Sequence, residues 1–345
     1  MKYFKQTVTM VLVIFAFSAY AGRVQAQSNN DNNDKYRKAV QEYNKGNKLS
    51  KNKKFSEAID AYKKAISEAQ GGGDKAQKLI QLSKKQLPSL YYEEAVSTYK
   101  TFQNSQTESN LDNTISAFKD ASNAASKYGN SSLKKRADDD ITKLMYNKSV
   151  LEYSQKNYSK AMDTINKVIN NNANYAKAYY QKALIYKKMD GHLNDAFKSF
   201  HKAIEVGKKT GDTGIVSKAK DNASGQLIYI ANQQNQNKHY SDAINTLKRS
   251  LNYNSEAPTA YFEMAKAYNN LGKHNSALTY AKKGLQYDKG GKASKAKFYF
   301  EEGKAYQALN KKSSACNIFA KAAYGDFKDS ADHIMKYELK CKGQQ

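Results

Sequence analysis

The stretch "YFEMAKAYNNLGKHNSALTYAKKGL", residues 261–285, reads as two short helices with a turn between them. Ala265 and Ala277 stand twelve residues apart, with aromatics and Met on either side. Two antiparallel helices approach closely only where their side chains are small, and a large side chain one turn away fills the gap beside them. A hairpin of this kind cannot bury its apolar face alone, so neighbours must stack on it.

The same layout recurs along the chain. With Ala265 as position 8 and Ala277 as position 20, position 8 is Gly46, Ala95, Ser149, Ala183, Ala231, Ala265 and Gly303, small in all seven units. Position 20 is Ala58, Thr114, Ala161, Ala196, Ala243, Ala277 and Ala315. Position 24 is mostly large (Tyr62, Phe118, Ile165, Phe200, Leu247, Ala281, Phe319), and position 27 is small again apart from Val168. The step from position 8 to position 20 is 12 in five units, 13 in the fourth and 19 in the second. In that second unit "NSQTESN" is expected to lengthen the turn. The long intervals at 67–88, 125–143 and 205–225 are helix-compatible and are expected to extend helices between units.

The motif aromatic-x2-large-small-x2-aromatic followed by Ala-x3-aromatic stands in "YFEMAKAY" (261–268) with Ala277, and in "YFEEGKAY" (299–306) with "ACNIF" (315–319). In this the chain resembles the tetratricopeptide repeat family over roughly residues 35–325. It departs from the family's pattern in three ways. Tyr, Met or Leu stands for the usual Trp, the closing Pro is missing, and successive units lie 34 to 56 residues apart against a family period of about 34. The resemblance implies an all-α fold, a right-handed α-solenoid of about seven helical hairpins. "DSADHIMKYELKC" (329–341) within 326–345 would cap it, with Asp329 as N-cap and Ile334, Tyr337, Leu339 and Cys341 buried.

The first residues read as an export signal, residues 1–26. Lys2 and Lys5 precede an apolar run from Val8 to Gly22, and "VQA" at 24–26 ends in a small residue. A spanning helix needs about 20 apolar residues, and Gly22 and Arg23 close this run early. With no Cys near the cleavage point, a lipoprotein is not expected. Loss of Lys2, Lys5 and Arg23 with the signal lowers the formal charge of +25 by three, to +22. "SNNDNND" (28–34) is expected to be a flexible leader, residues 27–34, ahead of the repeats. The expected location is the periplasm or cell envelope.

Catalysis and metal binding find no support in the residue patterns. The five His contain no HExxH and no i, i+4 pair. "GGGD" (71–74) and "GGKAS" (290–294) lack the spacing of a phosphate loop and are expected in turns. No cofactor is expected. Cys316 and Cys341 would pair as a disulfide in an oxidising compartment, or otherwise pack as small apolar thiols.

In the family, positions 2, 5, 9, 12 and 13 line a concave surface that binds peptide segments. Transferred to this chain, that surface holds Tyr92, Tyr146, Tyr153, Tyr180, Lys187, Phe262, Lys266, Asn269, Phe300 and Lys304, and no Asp or Glu stands at any of these positions in any unit. An acid-free face of aromatics and Lys suits an acidic protein or peptide partner. The charge also allows an anionic envelope surface, such as lipopolysaccharide phosphates or acidic lipid, as an alternative partner. Nucleic acid is not expected behind an export signal. The family's clamp of Lys and Asn on a terminal carboxylate is matched only loosely, by Asn47 at position 9 with Lys and Asn elsewhere, so that specificity is not carried over.

Overall fold

The computed structural model describes residues 27–342. The export signal expected at 1–26 lies outside the described residues. The chain divides into two compact units, one up to Asp139 and one from Asp140 onward. In the first, α1 (Gln27–Lys51) pairs with α2 (Phe55–Glu68), and α3 (Gly73–Asn104) with α4 (Glu108–Lys127). Residues 27–34, expected as a leader, are the opening turns of α1. Helix α5 (Ser131–Ser154) begins before the division and α6 (Tyr158–Asn171) follows it. The second unit continues with α7 (Ala176–Tyr186) and α8 (Leu193–Thr210), α9 (Thr213–Gln236) and α10 (Tyr240–Tyr253). It ends in α11 (Pro258–Asn270) and α12 (His274–Tyr287), then α13 (Lys292–Ala308) and α14 (Lys312–Ala322). The described residues contain no strand and no helix long and apolar enough to cross a membrane.

The small positions are where the helices of each hairpin meet. Every residue at positions 8 and 20 is buried in all seven units. Their polar members confirm the closeness: Ser149 Oγ donates to the Ala161 carbonyl at 2.9 Å, and Thr114 Oγ to the Thr98 carbonyl at 3.3 Å. At Gly46 a Cβ would come within 3.0 Å of the Tyr62 ring, and at Gly303 within 2.9 Å of the Phe319 ring, so the large position 24 already occupies the space beside position 8.

The longer step of the second repeat, α3 and α4, is not a longer turn. Helix α3 runs on to Asn104 and α4 begins at Glu108, leaving three linking residues, as many as between α11 and α12. The extra residues extend both helices, and Thr107 caps α4 by accepting from the Asn110 N–H at 3.1 Å. The interval residues after 72, 130 and 212 likewise lengthen α3, α5 and α9 at their starts. "GGGD" and "GGKAS" lie at junctions between α2 and α3 and between α12 and α13.

Five of the seven hairpin turns share one left-handed residue at position 15. Lys53 (φ 59°), Lys156 (64°), Lys238 (64°), Gly272 (72°) and Asn310 (59°) all occupy it. The next residue's N–H closes the helix on a carbonyl five residues back, for example His239 to Gln234 at 2.8 Å and Lys273 to Tyr268 at 2.9 Å. The C-terminal cover is formed by Gly325–Phe327, α15 (Lys328–His333) and a π-helical turn, Ile334–Glu338. Asp329 is not the N-cap expected of it; Phe327 precedes α15, and Asp329 sits in the first turn, where its charge favours the helix dipole. Tyr337 is 60% exposed rather than buried, because the wider π turn shifts the inward face to Ala331, Met335 and Cys341. Ile334 and Leu339 pack partly against that cluster.

A left-handed Lys costs about 1–2 kcal/mol, against about 0.4–1 kcal/mol of extra unfolded-chain freedom introduced by Gly. Lys156→Gly and Lys238→Gly are therefore each expected to stabilise the chain by about 0.5–1 kcal/mol. A higher urea midpoint with an unchanged slope would show it; a lower midpoint contradicts the turn analysis.

Candidate functional site

The ring at position 5 lies one turn before the small position 8, so it meets the large position 24 of its own hairpin. Tyr43 lies 5.4 Å from Tyr62, Tyr92 5.5 Å from Phe118, Tyr180 6.0 Å from Phe200 and Phe300 5.6 Å from Phe319, between ring centroids. All but the tilted Tyr180–Phe200 pair are edge-to-face, and aromatic pairs add about 0.5–1.5 kcal/mol each beyond area burial. Much of the expected inner wall of rings is thus hairpin packing with one edge left outward. Tyr146, Tyr180, Phe262 and Phe300 are half-buried, whereas Tyr92 is 5% exposed and carries the Arg136 guanidinium 4.6 Å over its ring. Tyr92 is withdrawn from the candidate surface.

Asn269 is withdrawn as well, for a different reason. At 8% exposure, its side-chain amide donates to the Glu301 carbonyl and to Glu301 Oε2, each at 2.8 Å. Asn235 makes the same two bonds to Glu263, at 3.1 and 2.9 Å, and Asn232 adds a third at 2.7 Å. Position 12 of one unit thus clamps a buried carboxylate at position 6 of the next. His274 Nδ1 lies 3.2 Å from Asn269 Oδ1, and the Lys304 ammonium donates to Glu301 at 3.2 and 3.3 Å. Lys304 is therefore half-buried and engaged inside the chain. Sequence reasoning missed Glu263 and Glu301. The signal available was an Asn at position 12 followed 28 or 32 residues later by Glu at position 6.

The clamp lapses in the units before these. From the third to the fourth unit its places hold Tyr153 and Gln181; from the fourth to the fifth, Lys187 and Tyr229. Gln181 is 3% exposed with Nε2 unpartnered, and Tyr229 is 58% exposed. Lys187 caps the C-terminus of α7, half-buried, and has no carboxylate within ion-pair distance among the described residues. Burial, and after it the neighbouring Lys188, pulls its ammonium below the ordinary lysine value. Tyr146, Tyr153 and Tyr180 gather here. Burial raises all three hydroxyls, and Tyr180 adds to the effect on the other two. Asp221 adds to it on Tyr180, whose oxygen accepts from Asn222 at 2.9 Å. The phenols stay protonated, so α5 and α7 present O–H and ammonium donors beside the Asn222 amide of α9. Such a face suits an acceptor-rich group such as a carboxylate. Lys266 stands half-buried on α11, and Tyr153 lies 5.6 Å from Tyr158.

The disulfide joins Cys316 of α14 to Cys341 of the cover, with Cα atoms 5.8 Å apart. It ties the last hairpin to the segment that closes it. Closing a loop of this size contributes roughly 3 kcal/mol in the chain-entropy model.

A family model for the tetratricopeptide repeat matches residues 258–290, the hairpin of α11 and α12. That hairpin is a tetratricopeptide repeat. Solved structures similar to this repeat protein include MamA, 18% identical, covering 57% of this chain and 95% of that one at a TM-score of 0.35. YrrB, described as a tetratricopeptide-repeat protein with an unusual peptide-binding site, is 19% identical, covering 56% and 91% at a TM-score of 0.33. The TPR2AB domain of yeast Sti1, in complex with pHSP90, is 16% identical, covering 89% and 98% at a TM-score of 0.31. No curated protein matches the chain.

Asn269→Ala would leave the buried Glu301 carboxylate and the Glu301 backbone carbonyl each short of a donor, so a loss of about 2–3 kcal/mol is expected in a denaturant titration. Glu302, beside the clamp at 4% exposure, has its carboxyl raised by burial, against the opposing pull of Lys282 and Lys321. A raised folded value means that its contribution is present below about 4.5 and is lost as pH rises through the folded value. Glu302→Gln should raise the melting temperature at pH 7, by an amount that shrinks as pH falls toward 4.5. A gain independent of pH would contradict this assignment.

Proposed function

We propose that this repeat protein is an exported, non-catalytic scaffold of the periplasm or cell envelope. It holds an acidic protein or peptide segment against the first-helix face of its second unit, with envelope assembly or maintenance as its setting. The observation that carries the reading is the cluster of α5, α7 and α9. There the inter-repeat clamp gives way to Tyr146, Tyr153, Tyr180 and a desolvated Lys187 with no carboxylate of its own. A protein that spends stability to keep a cation half-buried and unpaired gains it back when an anion arrives. Export is supported by the basic start at Lys2 and Lys5, by the apolar run to Gly22, and by the disulfide.

A second reading has one specific support. In the first unit, Gln81, Lys84, Lys85, Lys127 and Tyr128 line a depression of about 550 Å³. Three ammonium groups around one depression would meet phosphate-bearing lipid or lipopolysaccharide.

A crosslinking pull-down from the native envelope, run at two salt concentrations, tests both. Lys187→Glu with Lys266→Glu is expected to abolish capture of a specific protein while leaving helical circular dichroism unchanged. Capture that survives the charge reversal removes this face from the account. Association with anionic vesicles that Lys84→Glu with Lys85→Glu abolishes, in the absence of any captured protein, supports the second reading.

A further inference from the structure

Among the rings at position 5, Phe262 and Phe300 differ from the rest in having a visitor from the far end of the chain. Phe327, in the short turn Gly325–Phe327, lies 5.1 Å from Phe300 and 6.4 Å from Phe262 between ring centroids. It bridges the first helices of two successive repeats, α11 and α13. Gly325 adopts φ 56°, and a Cβ there would meet Ala293 at 3.3 Å, so the turn lies close on α13. Tyr324 anchors the other side, accepting from the Lys292 ammonium at 3.4 Å.

Phe327 is not part of the core that closes the array. That core is Ala315, Phe319, Ala322, Ala331, Met335 and Cys341, and Phe327 is not among the side chains packed on it. It is half-buried, and the ring contacts it makes are with the two position-5 rings. The turn is flanked by the exposed Asp326 and Asp329, while Lys297 stands over the Phe262 ring at 5.8 Å and Lys266 is half-buried on the same helix as Phe262. An aromatic residue between carboxylates thus sits on an aromatic pair bordered by ammonium groups.

We propose that the Phe262–Phe300 pair is a receptor for one aromatic side chain flanked by carboxylates in a partner segment, and that Phe327 holds it closed as an internal stand-in. The inference rests on the reading of the first-helix face as the partner surface, and it names the chemistry of the segment that this part of the face takes. A partner displaces a three-residue turn rather than a helix, because the Cys316–Cys341 bond ties α14 to the segment that follows α15 and the π turn.

The test uses the full chain and a fluorescein-labelled synthetic peptide of its own segment, "AYGDFKDSA" (323–331), read by fluorescence anisotropy. Phe327→Ala and Phe327→Leu are expected to bind the probe at least about tenfold more tightly than the unaltered chain, a difference of about 1.4 kcal/mol. A probe with Ala for its Phe, or Phe262→Ala added to Phe327→Ala, should lose that gain. Equal binding by the altered and unaltered chains, or equal binding of the Ala probe, overturns the proposal. So does loss of helical circular dichroism in both single variants, since Phe327 would then be holding the fold. Failure here with partner capture still dependent on Lys187 removes only this receptor. Probe binding as expected, with no Lys187-dependent capture, removes the scaffold reading as stated and leaves the receptor.

Discussion

Ala265 of α11 and Ala277 of α12 are both fully buried where the two helices pack on one another. That contact dictates where every larger group goes. Position 24 must lie beside it, and a glycine appears at position 8 in the hairpins of Tyr62 and Phe319, whose rings leave no room for a methyl group. Position 5 is then directed at position 24, which is why Tyr43, Tyr92, Tyr180 and Phe300 are partners of the core before they are anything else. Between hairpins the same logic repeats at Gly284, where a methyl group would overlap the buried Phe298 ring of the next unit.

Close packing of this density leaves buried polar groups few options. Glu263 and Glu301 are admitted because Asn235 and Asn269 reach across from the preceding repeat to bond both carboxylate and backbone. The clamp fixes one repeat against the next with direction as well as strength, which apolar contact alone does not provide. In the earlier repeats of the second unit the same places hold Tyr153, Gln181, Lys187 and Tyr229. An unpartnered amide and an unpaired cation remain there. The polar chemistry along one face thus changes from closed to open between the later repeats and the earlier ones.

The end of the array solves a separate problem. The last hairpin has no successor, so α15 and the π turn cover it, tied back through Cys316–Cys341. The π turn rotates the inward face onto Met335 and sends Tyr337 to solvent. A regular helical pattern cannot anticipate this, because the extra residue per turn is a response to the surface being covered.

The sequence alone determined the positions of closest approach. Small residues at 8, 20 and 27 and large ones at 24 state which side chains meet, because steric fit between two helices is a local, periodic requirement. It therefore determined the hairpins, their number and their burial pattern down to single alanines. The second repeat's extra residues, read as a turn, went into α3 and α4, since continued hydrogen bonding in two packed helices is better than an open loop. Only the tertiary structure decided which rings and amides remained available. Tyr92 and Asn269 occupy positions that face outward in the family pattern. Their surroundings (Phe118 and Arg136 for one, Glu301 of the following repeat for the other) come from distant parts of the chain. Charge and aromaticity are properties of a residue, but exposure belongs to its neighbours, and those neighbours are assembled only when one repeat packs on the next.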